Sequence, residues 1–144
     1  PRRRRRGVEG DTRGLILDTS FLIDVQNGVD AATEKAREIE SNGRPRRVPH
    51  VVLYELHIGV GKGVQSDENR ERIESVVSSL PLEPTTPSIA RRAGRIEGEL
   101  QADGEAIGAV DTLVAGTALE YDEPVVTADV DGFERVPGLR IERY

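Results

Sequence analysis

Four carboxylates in this chain are set into apolar sequence. Asp18 closes the run Leu15-Ile16-Leu17 and is followed at once by Thr19-Ser20-Phe21-Leu22-Ile23-Asp24. Glu55 lies inside Val51-Val52-Leu53-Tyr54-Glu55-Leu56-His57-Ile58, and Asp111 inside Ile107-Gly108-Ala109-Val110-Asp111-Thr112-Leu113-Val114-Ala115. Asp129 ends Val125-Val126-Thr127-Ala128. An unpaired carboxylate among apolar neighbours is costly and needs a cation, a proton or water. Four of them placed this way point to a divalent-cation site, because hard cations take oxygen ligands.

Each acid also has a plainer explanation. Asp18 stands where a helix begins, and Asp is a good N-cap; Thr19 and Ser20 cap equally well, which leaves Asp18 free for other work. On a helix, Glu55 would have Val51, Val52, Ile58 and Gly59 as neighbours three and four residues away, unless the helix is rotated so that Glu55 faces water. Asp111 has Ile107, Gly108, Val114 and Ala115 at those spacings and nothing basic, so its partner must come from elsewhere in the fold. Asp129 and Asp131 could be turn chemistry alone. Asp24, Glu34, Glu38, Glu40, Glu68, Glu71, Glu97 and Glu99 have Arg or Lys nearby on helices and read as a solvated face. Glu105 stays open between surface and site. His57 reads as packed or solvent-facing and His50 as structural, since a lone imidazole without neighbouring ligands makes no metal site.

The elements that must position these acids alternate between strand and helix. Strands are expected at Gly14 to Leu17, Arg46 to Val48, Pro81 to Pro84, Pro124 to Thr127 and Leu139 to Ile141. Helices are expected from Ser20 to Val25, stopped near Asn27-Gly28, and from Asp30 to Ser41, ended by Asn42-Gly43. Another runs from Pro49 to about Val60, broken by Gly59, Gly61 and Gly63. Ser66 is expected to cap the next, with Ile73, Val76, Val77 and Leu80 as its stripe. Thr86 is an N-cap followed by Pro87 at the first helical position, and that helix carries Ile89, Ala93, Ile96 and Leu100 before Asp103-Gly104 ends it. Ile107 to Leu119 is the most apolar helix, and Val130 to Glu134 a helical turn. Alternation of this kind predicts an α/β protein with one central parallel β-sheet and helices on both faces. In such sheets ligands bind at the carboxyl ends of the strands, where Asp18 and Asp129 fall.

With 144 residues the chain suits one domain, expected over residues 14–144, after an Arg-rich tail over residues 1–13 expected to be disordered. No stretch reads as a membrane span or a secretory leader, so a soluble, cytoplasmic protein is expected. The chain has no Cys, which excludes disulfides, zinc–thiolate sites and thiol nucleophiles. Trp and Met are absent and aromatics are few, which argues against a base-stacking platform of RNA-recognition type. The net charge of −6 is uneven: residues 2–13 carry six Arg against Glu9 and Asp11, or +4, leaving −10 for the remainder. An acidic body argues against a broad basic nucleic-acid face. The Arg2 to Arg6 run reads as a solvated tail or as a phosphate-contacting arm, the first being the commoner case.

The four acid-bearing segments, in this order, resemble those of PIN-domain ribonucleases, and closely the VapC-type toxins of toxin–antitoxin pairs. The tail Phe133-Glu134-Arg135-Val136-Pro137-Gly138-Leu139 adds to the match, which spans residues 14 to 144. One departure is Gly132, where the family often has Asp before the tail Phe; Asp129 holds the position matching the metal-proximal acid, so little loss is expected. The resemblance implies a PIN domain whose acids converge on Mg²⁺ or Mn²⁺ and hydrolyse RNA phosphodiester bonds. Asp18 and Asp111 would be principal ligands, Asp129 would hold a second ion or orient water, and Glu55 would bind through water or act as base. Thr19, Ser20 and Thr127 would support them. Arg44, Arg46 and Arg47, or Arg91, Arg92 and Arg95, would meet RNA phosphates or else pair with surface acids. A homodimer and a short antitoxin partner are also implied.

Other acid-bearing α/β folds fit less well. A receiver domain needs two adjacent acids after the first strand and a late Lys. A haloacid-dehalogenase-type phosphatase needs Asp where Ser20 stands, and a dinucleotide fold needs Gly-x-Gly-x-x-Gly where Thr19-Ser20-Phe21 stands. Two alternatives remain: an RNA-processing PIN nuclease that is not a toxin, and a non-catalytic PIN-like module that binds RNA or protein.

Overall fold

In the computed structural model, residues 13–63 and 67–144 are described; the Arg2 to Arg6 run and the expected Ser66 cap lie outside them. The described residues form five strands and seven helices. In chain order these are β1 (Leu15–Leu17), α1 (Thr19–Gln26), α2 (Asp30–Ser41), β2 (Arg46–Pro49), α3 (His50–Gly61), α4 (Asp67–Ser78), β3 (Leu82–Glu83), α5 (Pro87–Ala102), α6 (Ala109–Tyr121), β4 (Val125–Val126), α7 (Val130–Glu134) and β5 (Ile141–Glu142).

The sheet order is β3-β2-β1-β4-β5, and every pairing is parallel. Leu15 pairs with Arg46, and Leu17 with Val126. The three residues of β1 are all buried, as a run of branched and aliphatic side chains covered on both faces should be. β1 is also the strand at which the chain reverses its direction of travel across the sheet. It passes first to β2 and β3, then returns to the other flank as β4 and β5. A crevice opens at the carboxyl end of such a switch strand, and the residue there is Asp18.

The sheet has helices on both faces. On α6, Gly116 permits a close helix pair: a Cβ added there would lie 3.1 Å from Ala93 Cβ and 3.2 Å from the Ile89 carbonyl oxygen of α5. Thr86 caps α5 as expected, its Oγ1 accepting from the Ile89 N–H at 3.2 Å with Pro87 at the first helical position. The final strand falls two residues later than its expected start, because the ladder to β4 runs through Val125 N–H to the Arg140 carbonyl and Thr127 N–H to the Glu142 carbonyl.

Elsewhere on the sheet, charge is held in matched sets. Arg44 is 1% exposed and donates two hydrogen bonds to Glu142, of 2.8 and 2.6 Å, and one to the Arg13 carbonyl, of 2.9 Å. Lys35 adds a third contact to Glu142 at 2.7 Å. Arg47 reaches Glu83 at 2.7 Å and Glu123 at 2.9 Å, with its guanidinium 4.1 Å from the centre of the Tyr121 ring. No helix among the described residues is long and apolar enough to cross a membrane.

Candidate active site

Three separate features of the fold bring the acids together. Asp18 follows β1 directly, so its position is set by the β1–β4 ladder, in which its own N–H donates to the Val126 carbonyl at 3.2 Å. It occupies the N-cap position of α1 but makes no side-chain capping bond. Its side chain is turned inward instead and is 4% exposed. There Oδ2 accepts from the Thr127 hydroxyl at 2.8 Å and from the Ser20 hydroxyl at 3.3 Å. Those two hydroxyls are 3.0 Å from each other. Thr127 Oγ1 also accepts the Asp129 N–H at 3.0 Å, and Ser20 Oγ accepts the Ala128 N–H at 3.1 Å. One hydroxyl network therefore links the end of β1 to the turn after β4.

The other oxygen of Asp18, Oδ1, is buried with no hydrogen-bond partner among the described residues. An orphaned buried acceptor is rare and asks for an explanation. Thr19 Oγ1 is in the same condition, so the Thr19 hydroxyl gives the carboxylate no hydrogen bond, whereas the Ser20 and Thr127 hydroxyls do and the Thr19 backbone lowers the Asp18 pKa.

Asp111 stands in the first turn of α6 and is half-buried. Its carboxyl is pushed up to about 7 from an ordinary 3.8, first by burial and then by the charges of Asp18, Glu55, Asp129 and Glu97. Asp18 is raised as well, chiefly by burial, with Thr127 opposing and Glu55 adding to the rise. Glu55 is half-buried on α3 and Asp129 is exposed just before α7. The other three acids singled out in the sequence thus all act on Asp111, and Glu55 acts on Asp18 as well. Among the described residues no three His, Asp or Glu side chains form a ready-made metal cage. The donor set nonetheless fits a hard divalent cation. It is all oxygen, it includes a buried ligand atom with no partner among the described residues, and the carboxyls of Asp18 and Asp111 are pushed up, so that a cation would displace their protons.

Two further residues belong here that the sequence did not reveal. Glu97 was grouped with the surface acids, yet its Oε1 accepts the Ile107 N–H at 3.1 Å and its charge acts on Asp111. Only the antiparallel packing of α5 on α6 brings positions 97 and 111 together, and no local pattern signals that. Arg135, one turn past Gly132, donates to the Glu105 and Ala106 carbonyls at 3.2 and 3.4 Å. Gly132 is close to the site: a Cβ there would lie 3.7 Å from Asp111 Oδ2.

The expected RNA-contacting arginines are mostly elsewhere. Arg44 is buried on Glu142, and Arg46 and Arg47 begin β2, at the amino ends of the strands. A parallel sheet separates its two edges by the length of its strands, which a sequence neighbourhood does not show. Arg92 faces Glu120 near the far end of α6, 3.5 Å away. Arg91 and Arg95 are exposed on α5. Of the histidines, His57 bonds to Glu74 of α4, away from the acids.

A small parallel α/β fold with a cluster of acids at its switch point is the architecture of a class of nucleases. The PIN domain family matches residues 15–139, and the chain belongs to that family, as a VapC-type member. The tRNA(fMet)-specific endonuclease VapC of Shigella flexneri is 34% identical over 130 residues, covering 90% of this chain and 97% of its own. Ribonuclease VapC of Rickettsia bellii is 32% identical over 133 residues, covering 89% and 94%. Among solved structures, DNA-bound VapBC from Salmonella typhimurium is 29% identical with a TM-score of 0.78, covering 90% of this chain and 97% of that one.

Proposed function

We propose that this protein is a Mg²⁺- or Mn²⁺-dependent endoribonuclease, the toxin of a toxin–antitoxin pair, and that Asp18, Glu55, Asp111 and Asp129 are its catalytic acids. The observation that carries this is the Asp18 carboxylate, buried with one oxygen held by hydroxyls and the other unsatisfied, beside an Asp111 whose proton is retained to about 7. The relatives named as ribonucleases, and a neighbour solved as a VapBC complex, support RNA as substrate and a small antitoxin as partner. A homodimer is part of the same proposal.

Asp18 and Asp111 would be the principal ligands, with Asp129 beside them. A bound divalent ion supplies charge neutralisation at the phosphate and acidifies a water. Thr127 and Ser20 fix Asp18 Oδ2, so that Oδ1 points into the site without rearrangement at the moment of reaction. Asp111 gives up its proton on ligation. Glu55, on the opposite helix, takes a proton from the attacking water as its oxygen bonds to phosphorus and the bond from phosphorus to the leaving oxygen breaks. The leaving oxygen then collects a proton from solvent.

The test is cleavage of a panel of cellular RNAs, initiator tRNA included, with Mg²⁺ or Mn²⁺, by wild type, Asp18→Asn and Asp111→Asn. Metal-dependent cutting lost in both variants is the expected result. Equal cutting by all three would point to a contaminant and remove the site assignment. Binding without cutting by wild type would favour a non-catalytic module.

A further inference from the structure

A gathering of five carboxylates is an unwelcoming place for a polyanion, so a nuclease reading needs a cation close to the acids. The cations that meet carboxylates do not qualify: Arg44 and Lys35 are held by Glu142, Arg47 by Glu83 and Glu123, and Arg92 by Glu120. Arg135 differs. It is exposed, it makes no ion pair among the described residues, and its Nη1 donates only to two neutral carbonyls, at 3.2 and 3.4 Å. Carbonyls orient a guanidinium without cancelling its charge. The two it grips belong to Glu105 and Ala106, in the loop leading into α6 and so to Asp111.

Its place on α7 fixes the other coordinate. A Cβ at Gly132 would lie 3.5 Å from Ile107 Cγ2 and 3.7 Å from Asp111 Oδ2, so this face of α7 looks onto the site. Arg135 follows three residues later with helical dihedrals of −75° and −14°, which puts it on the same face roughly 5–6 Å further along. With Nη1 committed to the loop, the Nε–Nη2 edge remains: two parallel N–H donors of the geometry that matches a phosphate.

We propose that Arg135 is the phosphate-binding residue of this site, holding a backbone phosphate of the RNA next to the one that is cut. The proposal rests on the nuclease assignment above. It also sets a positive charge beside the acids of an acidic body, and it places that charge between the segments that carry Asp111 and Asp129.

The experiment measures affinity for a labelled polyuridine oligonucleotide across a KCl series with Mg²⁺ present, in the Asp111→Asn background so that nothing is cut. Arg135→Gln keeps a donor for the loop carbonyls and removes the charge; Arg135→Lys keeps the charge and removes the fork. Loss of one phosphate contact should weaken binding several-fold at low salt and reduce the slope of log K against log salt by about 0.7 in the Gln variant. The Lys variant should keep the slope with reduced affinity. A purely structural arginine would lower the melting temperature and leave the slope unchanged in both variants, which would overturn the proposal. If wild type cuts RNA and the slope does not move, Arg135 alone is wrong; if wild type cuts no RNA with either metal, the nuclease assignment falls first.

Discussion

Asp111→Asn should abolish cleavage and at the same time make the metal-free protein harder to unfold above neutral pH. The Asp111 carboxyl is pushed up to about 7 from 3.8 by burial and by Asp18, Glu55, Asp129 and Glu97. The folded protein therefore binds this proton more tightly than the unfolded chain does. Stability from that proton is fully present below the unfolded value and is lost as pH rises through about 7. At pH 8 the fold must carry an ionised carboxylate among its like-charged neighbours. Taken whole, a shift of about three units corresponds to ~4 kcal/mol. Asp111 is only half-buried, and solvent screening reduces this to ~1–2 kcal/mol. Asn has nearly the same shape and no charge, so it should recover that amount. For a domain of this size the gain is roughly 3–6 °C in melting temperature. Thermal melts of wild type and variant in EDTA from about pH 4 to 8.5 should nearly coincide at the acid end, diverge as pH rises towards about 7, and keep a constant gap above it. Added Mg²⁺ should then raise wild type more than the variant. A variant no more stable than wild type at pH 8, or a gap that does not depend on pH, would refute the electrostatic account of the site.

Thr127→Val removes the 2.8 Å hydrogen bond to Asp18 and the acceptor for the Asp129 N–H, at a cost of ~1.5–3 kcal/mol in chemical denaturation. Since that hydroxyl lowers the Asp18 pKa, the acid limb of the pH–rate profile should move to higher pH. Glu142→Gln leaves the Arg44 guanidinium buried without its countercharge and should cost ~3–5 kcal/mol in the same assay. The Arg44 guanidinium holds Glu142 below the usual carboxylate range, so wild type should lose stability as pH falls through that depressed value, and the variant should lack this loss. Gly116→Ala forces a methyl to within 3.1 Å of Ala93 Cβ and 3.2 Å of the Ile89 carbonyl oxygen; melting should show a loss of ~1–3 kcal/mol, and Gly116→Leu a larger one.

What could be read in advance follows the range of the forces involved. Asp30 to Ser41 and Val130 to Glu134 match their helices because caps, turn residues and periodicity are local. The candidate acids were legible for a related reason: a carboxylate inside an apolar run is a local contradiction, and burial pushes the carboxyls of Asp18 and Asp111 up. Glu97 carried no such mark, lying among arginines on an amphipathic helix, and its role comes from a neighbour fourteen positions away across a helix hairpin. The arginines carried no sign of their partners. Arg44, Arg46 and Arg47 precede the Glu55 helix in sequence, Arg46 and Arg47 within β2 itself. Glu142, Glu83 and Glu123, which hold Arg44 and Arg47, are distant in the chain, while Arg46 lies 3.9 Å from Glu40.

The central position of β1 sets an order in time. Asp18 and Glu55 leave the ribosome in the first part of the chain, and β1, β2 and β3 can pair as soon as residue 83 is available. The flank of β1 that receives β4 stays bare until Val125 and Val126 are made, and Thr127 and Asp129, which complete the hydroxyl network around Asp18, follow immediately behind. Until those last two strands dock, Asp18 stands without the Thr127 hydroxyl that holds its Oδ2 in the finished fold.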